Sequence, residues 1–220
     1  MDYFSDKNEK QVEIPVKDGK ISGILTTVIT PKGIVIFAHG SGSSRFSQRN
    51  KFVAKILQDN NLSTLLFDLL TPKEEIKDNI TAEYRFNINL LSERLCLATQ
   101  WVKDEKETKH LPIGYYGAST GAAAALISAT KLKKAIKAIV SRGGRPDLAE
   151  NQFKDLVTPT LLIVGGNDTV VIDLNKKAYD LLTCIKKFEI ILGATHLFEE
   201  PHKLEEVAEL SAKWFIKHLK

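Results

Sequence analysis

The sequence predicts an α/β fold with a doubly wound, mostly parallel sheet and helices on both faces. Short apolar runs recur along the chain, and segments with helical periodicity lie between most of them. Runs that are short and almost continuously apolar are typical of strands that helices bury on both faces. Strands that alternate with helices form right-handed βαβ units, so the carboxyl ends of the parallel strands are expected to meet at one edge of the sheet.

Each element of this fold has its own sequence signal. The predicted strands span 19–30, 34–39, 63–68, 113–117, 138–141, 160–165 and 188–192. The first follows a polar stretch and ends at the turn residues 31–33, so it is expected to pair antiparallel with a neighbour. The predicted helices span about 49–60, 83–103, 120–131, 174–182 and 201–219. Only one short helix, near Asp147, is predicted between 141 and 160, so no large cap domain is expected there.

The composition indicates an ordinary folded protein. Of 220 residues, 43% are hydrophobic and 26% are charged, which predicts a single domain over 1–220. The net charge is +4 without a basic block, so nucleic-acid binding is not expected. No stretch is apolar for the length of a membrane span and the N-terminus lacks a signal-peptide pattern, so a cytoplasmic protein is expected. Cys96 and Cys184 form no CxxC pair and are expected to be reduced. The sequence indicates no particular oligomeric state.

One serine occupies a junction between a predicted strand and a predicted helix. The segment "GYYGASTGAAAA", 114–125, places Ser119 between Gly117 and Gly121 in the pattern G-x-S-x-G. This pattern is the nucleophile elbow, in which a sharp turn exposes the hydroxyl and glycine leaves room for the packed helix. The next helix begins there, and its N–H groups favour developing negative charge. Ser119 is therefore the candidate nucleophile.

A base and an acid follow two later strands at the same predicted edge. His196, in "GATHLF", is expected to take the proton of Ser119, and Asp168, in "GGNDTVV", to orient the imidazole. Two other aspartates compete for the acid's role: Asp147, in the loop after the preceding strand, and Asp173, near the start of a helix. Three other histidines lie in polar or helix-surface contexts and are expected to be exposed to solvent: His110, His202 and His218.

The segment "AHGSGSS", which follows the strand at 34–39, predicts an oxyanion hole. The backbone N–H of Ser41, with Gly42 keeping the loop close, is expected to join the N–H of Thr120 in binding a tetrahedral oxyanion. His39 could serve as a base, but its position in a strand-end turn favours a structural role in which the ring hydrogen-bonds the loop.

Four of the six arginines lie in two loops at this edge, while lysine supplies most of the remaining positive charge: Arg45, Arg49, Arg142 and Arg145. Because a guanidinium binds carboxylate or phosphate through two parallel hydrogen bonds, Arg142, Arg145 and Arg45 are candidates to hold an anionic group of a substrate. The alternative is that these arginines brace the loops by pairing with Asp147, Glu150 or Asp68.

The chain resembles the dienelactone hydrolase-like group of α/β-hydrolases over about residues 20–219. The resemblance rests on "FAHGSGSS", "LLFDLLT", "GYYGASTGAAAA", "VSRGGRPDLA", "LLIVGGNDTVV" and "LGATHLFEEP". It implies an α/β-hydrolase fold and a Ser-Asp-His serine hydrolase that acts on esters or related acyl compounds without a metal or an organic cofactor. Dienelactone hydrolases proper carry a cysteine nucleophile, so Ser119 argues against dienelactone as the substrate. Relatives of this type can also be attached to a phosphoribosyltransferase domain, which these residues do not supply.

The sequence therefore predicts a hydrolase that cleaves carboxylic esters of small acyl groups through an acyl-enzyme, with an anionic group on the substrate as the hypothesis that the arginines raise. Two alternatives stay open. The same three residues could transfer the acyl group to another acceptor or cleave thioesters, and a non-catalytic binding module could keep the same fold.

Overall fold

The computed structural model describes residues 7–220, which contain one eight-stranded sheet. The strands are β1 (Lys7–Val16), β2 (Gly19–Val28), β3 (Gly33–Ala38), β4 (Leu62–Phe67), β5 (Ile113–Ala118), β6 (Ile136–Arg142), β7 (Thr160–Gly165) and β8 (Lys186–Ile191). Their order in the sheet is β1-β2-β4-β3-β5-β6-β7-β8. The β1/β2 and β2/β4 pairs are antiparallel, and the remaining pairs are parallel. The predicted antiparallel pairing of the 19–30 strand is confirmed.

Helices cover both faces of this sheet. They are α1 (Gln48–Asp59), α2 (Pro72–Thr81), α3 (Ile88–Asp104), α4 (Thr120–Leu132), α5 (Thr169–Leu181) and α6 (Lys203–His218), with 3-10 segments at Lys133–Ala135 and Pro146–Asp155. One buried cluster joins the sheet to α3, α4, α5 and the second 3-10 segment. The other joins it to α1 and α6. The predicted doubly wound fold is confirmed.

The burial of the strands explains why their sequences are apolar throughout. Every residue of β3, β4, β5 and β7 is buried, because helices pack on both faces of these central strands. The edge strand β8 is only partly covered, and β1 alternates between more and less exposed positions. The apolar runs in the sequence therefore mark the centre of the sheet and become weaker toward its edges.

The starts of two helices differ from the prediction, and one strand was not predicted. The helix predicted at about 83–103 is wrong in its first turn, because α3 begins at Ile88. Asn87 caps this helix, and its side chain accepts a hydrogen bond from the N–H of Leu90. The helix predicted at about 174–182 begins earlier, at Thr169. The strand β1 was not predicted, since its sequence is rich in charged residues.

The helix α2 was also not predicted. Its short sequence is mostly polar and carries little helical periodicity, but its N-terminus is well capped. The hydroxyl of Thr71 accepts a hydrogen bond from the N–H of Glu74, whose carboxylate accepts one from the N–H of Thr71, and Pro72 begins the helix. Between β6 and β7 the structure contains only the Pro146–Asp155 segment, as predicted.

Five of the loops that carry candidate residues follow parallel strands, so they lie at the same edge of the sheet. These loops follow β3, β5, β6, β7 and β8. None of the helices formed by residues 7–220 combines the length and the apolar character needed to span a bilayer.

Candidate active site

Ser119 lies at the sharp turn between β5 and α4. Its φ of 50° and ψ of −119° form a strained conformation that residues with a side chain rarely adopt. Both glycines of the motif are crowded: a Cβ on Gly117 would lie 2.5 Å from the Cα of Ala122, and one on Gly121 would lie 2.1 Å from the carbonyl oxygen of Ala38. A side chain at either position would push α4 away from the strands, so this turn requires glycine on both sides.

Hydrogen bonds fix the main chain of Ser119 on both sides. Its N–H donates to the carbonyl oxygen of Arg142 at 3.2 Å, and its own carbonyl accepts from the N–H of Arg145 and from that of Ala122, each at 3.1 Å. The loop after β6 is therefore attached directly to the turn that carries the serine. This attachment limits the positions that the hydroxyl can reach.

His196 and Asp168 form a hydrogen-bonded pair next to this turn. The Nδ1 of His196 lies 2.6 Å from the Oδ2 of Asp168, and the side chains are 38% and 17% exposed. Asp168 occupies the N-cap position of α5, yet its side chain makes no capping hydrogen bond. Its carboxylate is turned to the imidazole instead. This contact places the proton on Nδ1 and leaves Nε2 as the basic nitrogen.

Gly143 brings the imidazole close to the serine loop. A Cβ at this position would lie 3.4 Å from the Cε1 of His196 and 3.5 Å from its Nδ1, so the ring packs directly over the glycine. Gly143 follows Arg142, whose carbonyl holds the N–H of Ser119. The imidazole and the main chain of Ser119 thus contact two adjacent residues of the loop after β6.

The loop after β3 supplies backbone N–H groups on the other side of Ser119. A Cβ on Gly40 would lie 3.1 Å from the Cβ of Ser119, so this loop passes directly beside the serine. Within the described residues, the N–H groups of Ser41 and Thr120 donate to no protein acceptor. Thr120 is the first residue of α4, where an N–H lacks an intrahelical partner. Both N–H groups can therefore donate hydrogen bonds to an oxyanion.

His39 stabilises the same loop. Its Nδ1 lies 2.9 Å from the carbonyl oxygen of Gly40, and its Nε2 accepts the N–H of Leu69 at 3.2 Å. Both contacts fit the neutral imidazole with the proton on Nδ1. Burial lowers the pKa of His39, and the bond to Gly40 and the charge of Asp68 oppose that effect only in part. These contacts support the structural role favoured by the sequence.

Comparison with solved structures shows the family of this chain. The crystal structure of a dienelactone hydrolase from Anabaena variabilis is 48% identical and matches with a TM-score of 0.96, covering 98% of this chain and 100% of that one. The chain belongs to the dienelactone hydrolase family. Two more distant structures show that this family member shares its fold with esterases. They are Est1E from Butyrivibrio proteoclasticus (15% identity, TM-score 0.78, 94% and 98% covered) and the Pyrococcus furiosus esterase Pf2001 (20%, 0.77, 97% and 94%).

Curated relatives of this dienelactone hydrolase family member carry a different name. Proteins from two strains of Mycobacterium tuberculosis, each named a putative phosphoribosyl transferase, are 49% identical to it over 212 residues. The match covers 96% of this chain and 47% of each relative, so the chain spans about half the length of these proteins. No protein-family model matches the chain.

Two of the three candidate arginines of this family member are paired with carboxylates. The N–H of Arg45 donates to the Oδ1 of Asp68 at 2.8 Å, and its Nη1 contacts Oδ2. The Nε and Nη2 of Arg145 donate to the two carboxylate oxygens of Asp147 at 2.9 and 2.7 Å. These pairs match the alternative in which the arginines brace the loops. A further pair, outside the candidate set, joins Arg49 to Glu199 at 2.7 Å.

Arg142 differs from the other arginines of the site. It is 4% exposed, and its Nε has no hydrogen-bond partner within residues 7–220. Its guanidinium carbon lies 5.7 Å from the ring centroid of Phe198. Burial raises the pKa of Tyr116, and the nearby charge of Arg142 opposes that rise. A buried guanidinium without a carboxylate partner is costly, so this side chain needs another explanation.

The remaining candidates lie outside the site. Asp147 is held by Arg145, and Asp173 lies within α5. His110 and His202 are exposed, as predicted, whereas His218 is half-buried against the ring of Trp214, so the prediction of solvent exposure for His218 is wrong. Cys96 and Cys184 are free and half-buried, and burial raises the pKa of each thiol. Among the described residues, no group of acidic, histidine and cysteine side chains could hold a metal ion.

Proposed function

We propose that this chain is a serine hydrolase that cleaves carboxylic esters of small acyl substrates. The observation that carries the proposal is the His196–Asp168 pair, 2.6 Å apart, packed over the loop that holds the main chain of Ser119. It is supported by membership of a family with a solved dienelactone hydrolase at 48% identity. The proposal includes one α/β-hydrolase domain and a cytoplasmic location.

The proposed reaction has two halves. The Oγ of Ser119 attacks the acyl carbonyl while the Nε2 of His196 takes its proton, and the N–H groups of Ser41 and Thr120 bind the resulting oxyanion. The tetrahedral intermediate then releases the alcohol, which receives the proton from His196. Water attacks the acyl-enzyme in the same way and frees the acid. Throughout, Asp168 orients the imidazole and stabilises its protonated form.

The first test is hydrolysis of a 4-nitrophenyl ester series from acetate to octanoate by the wild type and by Ser119→Ala. We expect turnover that falls to background in the variant, and a preference for short acyl chains because residues 7–220 form no large cap over the site. Labelling with a fluorophosphonate probe should depend on Ser119 and His196. Turnover equal in both proteins, with no labelling of the wild type, would contradict the proposal and favour the binding-module alternative.

Arg142 is the candidate that we propose for an anionic group of the substrate. The support is its burial without a carboxylate partner, beside the strand end that holds Ser119. For Arg45 and Arg145 we favour loop bracing, because both are paired. Arg142→Ala should reduce kcat/KM for an anionic ester more than for a neutral ester of equal length. An equal loss on both esters would contradict this role, and Arg145→Ala provides the matched control.

The transferase name of the mycobacterial relatives describes proteins of about twice this length. Our proposal for this chain rests instead on its own serine, histidine and aspartate. Acyl transfer to an alcohol or thiol would use the same acyl-enzyme. Product analysis in the presence of added alcohol therefore separates hydrolysis from transfer, because a transferase would form the new ester in preference to the free acid.

A further inference from the structure

A cleft opens beside the Gly40–Ser44 loop, on the side of Ser119 that faces β4. It is a small cleft with a cavity volume of about 60 Å³, and it is partly open to solvent. One wall is this loop, whose Gly40 lies against Ser119. The opposite wall comes from α2 and the segment that follows it, which contribute Asp78 and Arg85. A substrate whose carbonyl is bound at Ser119 would extend one of its two ends into this cleft.

Arg85 is held rigidly by Asp78. Its Nε donates to the Oδ2 of Asp78 at 2.7 Å and its Nη2 to the backbone oxygen of Asp78, also at 2.7 Å. The Oδ1 of Asp78 accepts the N–H groups of Tyr84 and Arg85 at 2.7 and 2.9 Å. Asp78 is 4% exposed, and although burial raises its pKa, these hydrogen bonds and the guanidinium charge bring it below its usual value. The aspartate is therefore ionised and fixed.

One nitrogen of Arg85 is left for a ligand. Its Nη1 makes no hydrogen bond within the part of the chain that the structure describes. It lies 3.8 Å from the point that a Cβ on Gly42 would occupy, next to the loop that carries the N–H of Ser41. Because Asp78 fixes the other two nitrogens, this donor is already oriented toward the cleft before a substrate arrives.

The charges of the cleft determine which acceptor suits this donor. The charge of Arg85 is balanced by Asp78, and the other paired carboxylate of the lining, Asp68, is balanced by Arg45. Glu75 also lines the cleft and forms no ion pair within residues 7–220. A substrate carboxylate would therefore meet an unbalanced negative charge, whereas an uncharged oxygen would not. The rest of the lining includes three leucines, which suit a short carbon chain: Leu69, Leu70 and Leu91.

We infer that Arg85 is a specificity-determining residue whose Nη1 binds an uncharged oxygen, such as a hydroxyl, on the end of the ester that enters this cleft. The inference rests on the proposed ester hydrolysis and names its substrate class: short esters with a hydroxyl or similar oxygen near the scissile bond. The contact with Arg85 would lie on the β4 side of Ser119, whereas Arg142 lies at the end of β6, on the other side. The two arginines therefore address different parts of a substrate.

The test compares four ethyl-type esters by pH-stat. Ethyl butanoate is the reference, ethyl 3-hydroxybutanoate adds a hydroxyl to the acyl end, 2-hydroxyethyl butanoate adds one to the alcohol end, and monoethyl succinate carries a carboxylate. For the wild type we expect kcat/KM for one of the two hydroxylated esters to exceed that of ethyl butanoate by about tenfold, equivalent to about 1.4 kcal/mol. Monoethyl succinate should show no such advantage.

Variants then separate recognition from stability. In Arg85→Gln the hydroxyl preference should disappear, while Arg94→Gln should keep it, because Arg94 pairs with Glu74 of α2 and does not line the cleft. If Arg85→Gln fails to fold, Asp78→Asn/Arg85→Gln removes the buried unpaired carboxylate and should show the same loss of preference.

Three results would overturn the inference: no hydroxyl preference in the wild type, a preference that survives in both Arg85 variants, or an Arg85-dependent preference for monoethyl succinate. A wild type that hydrolyses none of the four esters and takes no fluorophosphonate label would overturn the proposed function together with the inference. Turnover of ethyl butanoate without the preference would overturn the inference alone.

Discussion

Replacing Gly121 by alanine tests whether close packing behind the serine sets the activity. The added Cβ would lie 2.1 Å from the carbonyl oxygen of Ala38 and 2.4 Å from that of His39, where ordinary contacts begin near 3.4 Å. Both oxygens belong to the backbone of β3 and the loop that follows it, so the clash cannot be relieved by the movement of a flexible side chain. The start of α4 must therefore shift by about 1 Å relative to β3 to restore ordinary contact distances.

This shift would move both the serine and part of the proposed oxyanion hole. Thr120, whose N–H is proposed to bind the oxyanion, lies between Ser119 and Gly121. A displacement of about 1 Å in a catalytic group costs roughly 100-fold in rate, so we expect kcat/KM to fall by about that factor. Overpacking should also lower the free energy of unfolding by about 1–3 kcal/mol.

The assay is ester hydrolysis together with urea unfolding at a temperature where both proteins are folded. The matched control is Ala125→Gly, a buried position of the same helix, which should lose about 1 kcal/mol of stability through helix propensity but keep the serine in place. Activity in Gly121→Ala within about threefold of the control would refute the argument, because the clash would then have been relieved without moving the site.

Two further predictions concern the histidines. Asp168→Asn should reduce kcat by about 1,000-fold or more, since an amide no longer holds the proton on the Nδ1 of His196; activity near wild type would contradict the assignment of this acid. Burial lowers the pKa of His39, so the unfolded chain takes up a proton first as the pH falls through about 6.5, and stability should decline there by at most about 1.4 kcal/mol per pH unit. His39→Gln should show a smaller decline in urea unfolding between pH 7.5 and 5.5, and an equal decline in both proteins would contradict the origin assigned to it.

The parts of the site that sequence could predict are those that directly follow strands of the parallel sheet. The strands that precede Ser119 and Asp168 are completely buried, and their apolar runs identify them without a structure. Because parallel strands end at one edge, a motif after each strand is enough to predict that the side chains converge. The contact between His196 and Asp168 then follows from topology, although its distance does not.

Arg85 could not be identified in this way. The sequence pattern placed it inside the helix predicted at about 83–103, whereas it lies in the segment between α2 and α3. Its orientation depends on Asp78, seven positions earlier, whose carboxylate accepts the backbone and side-chain N–H groups of Arg85. The capping signals at Thr71 and Pro72 could have indicated α2, but they do not show where the next segment turns.

The same limit applies to the arginine pairs. The sequence offered several carboxylates for each arginine, and only the fold brings Arg45 to Asp68 and Arg145 to Asp147. Conversely, nothing in the sequence distinguishes the buried Arg142 from the paired Arg145 three positions later. Periodicity predicts which residues are buried, but it does not predict which charged groups will find partners.

The geometry of the site implies a local cost in stability, and this can be measured. Ser119 has φ 50°, a conformation that costs about 1–3 kcal/mol for a residue with a Cβ and little for glycine. Ser119→Gly should therefore unfold at a higher urea concentration than Ser119→Ala, even though glycine elsewhere is less stable than alanine by about 0.5–1 kcal/mol. Both variants lack the hydroxyl, so the comparison isolates the backbone. If Ser119→Ala proved the more stable of the two, the turn would not be strained, and the two flanking glycines would serve only to let α4 pack closely.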